Sequence, residues 1–118
     1  MINKKVILKK WKDGSVRVER IATSNQFVKE VTYYKNGHKK TEEVIKNGIR
    51  HGIYIRYWEN GNKSDETHYE NGKEHGASKL YNKDGIIWLR GTYIDGKQRG
   101  KWIYHRDDGE VSHEEDFG

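Results

Sequence analysis

Cysteine and proline are both absent from the 118 residues, and methionine occurs once. Without cysteine there is no disulfide framework, no thiolate metal site and no cysteine nucleophile. Without proline every residue keeps its backbone N–H, which suits an extended hydrogen-bonded ladder. Apolar residues make up only 32% of the chain, and no run approaches the ~18 needed for a transmembrane helix. The opening Met1-Ile-Asn-Lys-Lys-Val-Ile-Leu-Lys-Lys also lacks the uninterrupted apolar centre of a secretion signal. The expectation is a soluble, cytoplasmic protein of a reducing compartment that carries no cofactor.

What the chain does contain is charge, at 35% of residues. Few apolar and many charged residues usually mean disorder, because too little surface can be buried to offset chain entropy. Here 4 Trp, 8 Tyr and 2 Phe oppose that reading. They recur in fixed columns, which fits a thin one-layer structure better than a globule. The net charge of +5 is uneven: residues 1–41 carry 11 Lys/Arg against 3 Asp/Glu, and residues 101–118 carry 2 against 6. An elongated molecule would have a basic start and an acidic finish.

The columns are set by glycine. Gly52, Gly76 and Gly100 are 24 residues apart, as are Gly48, Gly72 and Gly96, and Gly37, Gly61, Gly85 and Gly109. A fixed period of this size marks a repeat architecture, in which one supersecondary unit stacks on the next. Asp13-Gly14, Asn36-Gly37, Asn60-Gly61, Asp84-Gly85 and Asp108-Gly109 are hairpin signals, expected as two-residue turns with positive φ at both residues. Asn47-Gly48, Asn71-Gly72 and Asp95-Gly96 read as second turns, each leading through Gly52, Gly76 or Gly100 to the next hairpin.

The fold expected is therefore all-β: an elongated single sheet of antiparallel hairpin repeats. Residues 1–28 form a divergent N-terminal capping hairpin, and 29–52, 53–76, 77–100 and 101–118 are the repeats. The first unit is atypical because Gly14 to Gly37 spans 23 residues, and Ser24-Asn25-Gln26-Phe27 stands where a second Asn-Gly turn belongs.

One unit reads Gly52, Tyr54, Tyr57, Trp58, Asn60, Gly61, Glu66, Tyr69, Asn71, Gly72, Lys73, His75 and Gly76. This pattern resembles the MORN repeat, especially its bacterial variant. The resemblance implies a twisted array of hairpins acting as a scaffold for protein or phospholipid, with antitoxin or immunity proteins among its members. It implies no catalysis by the repeat itself. The third position of each unit, Trp in that pattern, is Tyr54, Ser78 and Trp102 here, and Trp88 stands where other units have Arg17, Lys40, Ser64 and Ser112.

Six histidines raise a metal hypothesis, and His51 and His75 share a column. Equivalent atoms lie two strand spacings apart, roughly 9 to 10 Å, too far for ligands near ~2 Å from one zinc ion. No metal site is expected. Glu19, Glu42, Glu66 and Glu114 share another column, and the same spacing favours cross-strand partners for Lys or Arg over catalytic pairs. No enzyme activity is expected.

Arginine beside aromatic residues has the composition of a protein interface. Arg56, Tyr57, Trp58, Tyr81, Trp88, Arg90 and Trp102 are the candidate partner-binding residues. The expected function is an antitoxin- or immunity-type inhibitor that neutralises a partner protein by steric occlusion. The alternatives are nucleic-acid or anionic-lipid binding through a basic end at Lys9, Lys10, Trp11 and Lys12, and head-to-tail self-association into a scaffold.

Overall fold

The computed structural model describes residues 4–24 and 26–118. Met1 to Asn3, the head of the segment read for a secretion signal, and Asn25, inside the atypical first connection, lie outside the described residues. Ten strands follow in order: β1 (Lys4–Lys10), β2 (Val16–Ala22), β3 (Phe27–Tyr33), β4 (Lys39–Lys46), β5 (Ile49–Tyr57), β6 (Lys63–Glu70), β7 (Lys73–Tyr81), β8 (Ile87–Ile94), β9 (Lys97–His105) and β10 (Val111–Asp116). They form one antiparallel sheet in which sequence neighbours are sheet neighbours, from β1 at one edge to β10 at the other. Nine gaps at about 4.8 Å span roughly 43 Å, close to the longest extent of 45 Å. Among the described residues no helix is long and apolar enough to cross a membrane.

The two sets of glycine turns are built differently, and this corrects the sequence expectation. At Asp13-Gly14, Asn36-Gly37, Asn60-Gly61, Asp84-Gly85 and Asp108-Gly109 only the glycine has positive φ. The Gly61 N–H donates to the Trp58 carbonyl (3.0 Å) and the Trp58 N–H to the Asn62 carbonyl (2.8 Å). These bonds define a three-residue loop, a type I turn closed by a left-handed glycine. The Asn60 side chain accepts the Asn62 N–H (2.9 Å), and Asn36, Asp13 and Asp108 do the same two residues on. Asx residues are used here for their side-chain acceptor, not for positive φ. The two-residue turns are the others: Asn47, Asn71 and Asp95 all have φ 50°, each followed by a glycine above 80°.

The second turns are thus hairpin turns in their own right. β5, β7 and β9 start immediately after them and run on through Gly52, Gly76 and Gly100. Between Glu43/Tyr54 and Ile45/Arg50 the pairing slips by two residues, and the same slip recurs beside Gly76 and Gly100. A bulge bends the strand, and a slip of two preserves which side chains share a face.

One row of cross-strand partners, Ile7, Glu19, Val31, Glu42, Ile55, Glu66, Lys79, Arg90, Ile103 and Glu114, therefore crosses the entire sheet. It defines the glutamate face. The opposite face carries Val18, Thr32, Thr41, Arg56, Asp65, Leu80, Leu89, Tyr104 and His113.

A single layer buries little. Val31 and Trp102 are the buried apolar residues among those described, and Glu19, Glu42, Asp65 and Ser78 are buried beside them. Polar contacts between hairpins must supply much of what a core would supply.

Candidate protein-binding surface

On the glutamate face each unit hands a tyrosine hydroxyl to the carboxylate of the unit before it. Tyr33 donates to Glu19 (2.5 Å), Tyr57 to Glu42 (2.6 Å) and Tyr81 to Glu66 (2.6 Å). Lysines complete the rungs: Lys5 to Glu19 (3.0 Å), Lys29 and Lys39 to Glu42 (2.8 and 2.9 Å), and Lys63 to Glu66 (3.5 Å). Burial alone would raise the Glu42 pKa, but the bonds from Lys29, Tyr57 and Lys39 outweigh it and hold the value at about 2. Glu19 and Glu66 are lowered by the same balance, and Tyr81 is pushed up to about 12 by burial and by donating to Glu66.

At the fourth rung both partners change. Arg90 occupies the glutamate position and His105 the tyrosine position, and the Arg90 Nε donates to His105 Nε2 (3.3 Å). His105 Nδ1 lies 2.9 Å from the Gly109 carbonyl, so the ring donates there and accepts from Arg90. Trp88, two residues before Arg90, is 52% exposed and stands at the bulge where Leu80 pairs with Leu89 and Tyr81 with Ile87.

The structure does not gather the candidate residues into one patch. Tyr57, Tyr81 and Arg90 lie on the glutamate face, where the two tyrosines are rungs, and Trp88 stands in the bulge at the start of β8. Arg56 lies on the opposite face, held by Asp65 through contacts of 2.9, 3.0 and 2.6 Å. Trp58 belongs to the turn edge, where its indole N–H donates to the Tyr81 carbonyl (3.2 Å) and Tyr34 donates to the Tyr57 carbonyl (2.7 Å).

Trp102 is removed from the candidate surface, because it is 2% exposed. Its ring packs against Tyr93 (4.9 Å) and Phe117 (6.4 Å) and lies over Gly91, where an added Cβ would come within 2.1 Å of it. The Trp102 column can hold so large a ring only because residue 91 has no side chain.

At the basic end Lys9, Lys10 and Lys12 are exposed, and the Arg17 guanidinium sits 4.8 Å from the Trp11 ring centroid. Trp11 is therefore engaged within its own hairpin. The residues missed in the sequence are Lys79, Lys101 and His105. The signal was present in paired form: Arg90 and His105 are 15 apart, the separation of Tyr57 from Glu42 and of Tyr81 from Glu66.

Comparison with protein-family models, with curated proteins and with solved structures returns no match.

Proposed function

We propose that this chain is a non-enzymatic protein-binding module that neutralises a partner by steric occlusion, in the manner of an antitoxin or immunity protein. The observation that carries the reading is the exposed Trp88 beside Arg90, in columns that elsewhere hold Ser64 and Glu66. An exposed indole adds nothing to the sheet, and at the fourth rung the carboxylate is replaced by a guanidinium bound through Nε to His105 with its terminal nitrogens left over. Trp and Arg are the residues most enriched in interface hot spots. The resemblance of the repeat columns to MORN repeats supports a scaffold role, by analogy only. A preformed sheet costs little ordering on binding, and Lys9, Lys10 and Lys12 would steer an acidic partner toward it.

The test uses the full chain as bait in lysate of its source at about 150 mM salt, where long-range steering is largely screened. One stoichiometric protein, lost with Trp88→Ala and inhibited by the added native chain at a one-to-one ratio, is the expected outcome. Recovery of nucleic acid or lipid instead, indifferent to that substitution, overturns the reading.

A further inference from the structure

Lys79 and Arg90 stand directly opposite each other on the glutamate face. Like charges in that position destabilise a sheet unless something relieves them. Glu30 opposite Glu43 is relieved, by Arg20 (2.8 Å) and Arg50 (2.7 Å). Lys79 and Arg90 make no ion pair among the described residues: Arg90 is bound only through Nε to His105, and both its terminal nitrogens are without a partner there. The Glu66 carboxylate across from Lys79 is already engaged by Tyr81 and Lys63. Lys101, 65% exposed and 3.7 Å from Glu114, completes a cationic group on the same face. Lys79, Arg90 and Lys101 line an open hollow of about 220 Å³ with Ala77, Thr92 and Ile103. Lys79 is partly answered by the charge of Glu66 opposite it, but Arg90 has no acid among the described residues, and a local rule broken there marks a site that answers to something outside the fold.

We propose that this hollow receives the carboxylate of an acidic side chain on the partner protein, an inference that rests on the protein-binding reading above. Arg90 supplies a planar fork that matches a carboxylate through two parallel hydrogen bonds. Its orientation is set by His105, which makes His105 a positioning residue. Lys79 and Lys101 add point charges, and Ala77 and Ile103 offer apolar surface for the aliphatic stem. A nucleic acid would require a track of unpaired cations along the sheet. On this face Lys5, Lys29, Lys39 and Lys63 are all engaged by glutamates, and the exposed Arg99 and Lys97, opposite Thr92 and Ile94, lie beside Lys101 at the same end of the sheet, which makes one local cationic patch and not a track.

The experiment is an amide NMR titration of the full ¹⁵N-labelled chain with three probes: end-blocked Glu-Glu-Glu peptide, inorganic phosphate, and sodium chloride at matched ionic strength. Saturable peptide shifts centred on β7 to β9, beyond those from chloride, are expected. Arg90→Lys should weaken binding by about tenfold through loss of the fork. The double variant Arg90→Glu with His105→Tyr rebuilds the tyrosine–glutamate rung, so it should melt at or above the native temperature and yet abolish the shifts. Peptide shifts no different from chloride, or centred on Lys9 to Lys12, overturn the site, and phosphate binding tighter than peptide overturns the carboxylate assignment. Capture of the partner unchanged by the rebuilt rung sinks this inference and leaves the protein-binding reading standing. Specific peptide binding with no captured partner does the reverse.

Discussion

Glu42 is buried, yet it is held by Tyr57 at 2.6 Å and by two lysines inside 3 Å. Its pKa falls from an ordinary 4.5 to about 2 on folding, so the ionised form is the one the fold prefers. That contribution is complete above about pH 4.5 and is lost as pH falls toward 2. The tyrosines run the other way: with Tyr81 raised from 10.0 to about 12, its contribution is complete below pH 10 and fades as pH rises toward 12. Tyr57→Phe should cost about 1.5 to 3 kcal/mol at neutral pH, the usual range for a hydrogen bond to a charged group. With one donor fewer, the folded Glu42 carboxyl is less depressed, so the loss of stability below pH 4.5 is smaller and ends at a higher pH; denaturant titrations should show a larger gap from the native chain at pH 7 than at pH 3. Gly91→Ala tests the other contact that carries the thin core. Its backbone accepts any residue, but the new methyl meets the Trp102 ring, so a loss of about 1 to 3 kcal/mol is expected from overpacking, read by thermal melting.

The strands owe their register to their turns, and the two kinds of Asn-Gly make separable predictions. Asn71 sits at φ 50°, a conformation that glycine adopts without penalty, so Asn71→Gly should change stability by less than about 0.5 kcal/mol. Asn60 has no positive φ; its side chain accepts the Asn62 N–H and donates to the Lys83 carbonyl of the next hairpin (2.8 Å). Asn60→Gly should therefore cost about 1 to 2 kcal/mol. Equal effects in chemical denaturation would contradict the assignment of turn types. At the sheet edge, β1 is exposed along its whole length, and the lysines that flank Val6-Ile7-Leu8 are the usual safeguard against unwanted pairing with another strand.

The molecule as a whole is close to one-dimensional, because each strand pairs only with its sequence neighbours. Stability is then approximately a sum of unit and interface terms. Deleting residues 53–76 joins Gly52 to Ala77 and offers the Tyr81 hydroxyl to Glu42 in place of Tyr57. The shortened chain should still fold cooperatively, with a denaturant m-value lower by about a fifth, in proportion to the surface lost. Circular dichroism during urea unfolding would check this. A collapse of structure would mean that coupling extends beyond adjacent units.

Much of this was legible in the sequence, because it is carried by local chemistry and periodicity. The 24-residue recurrence of glycine determined the hairpins, their order in the sheet and the absence of a deep core, since equal units can only stack. The columns of tyrosine and glutamate were visible as well, as was the oddity of Trp88 among polar counterparts. What the tertiary structure decided is which columns meet. Register is set by the two-residue slips beside Gly52, Gly76 and Gly100, and a slip is a property of paired strands that neither strand shows alone. Register brings Tyr57 to Glu42, buries Trp102 over Gly91 and leaves Lys79 facing Arg90 without an acid between them.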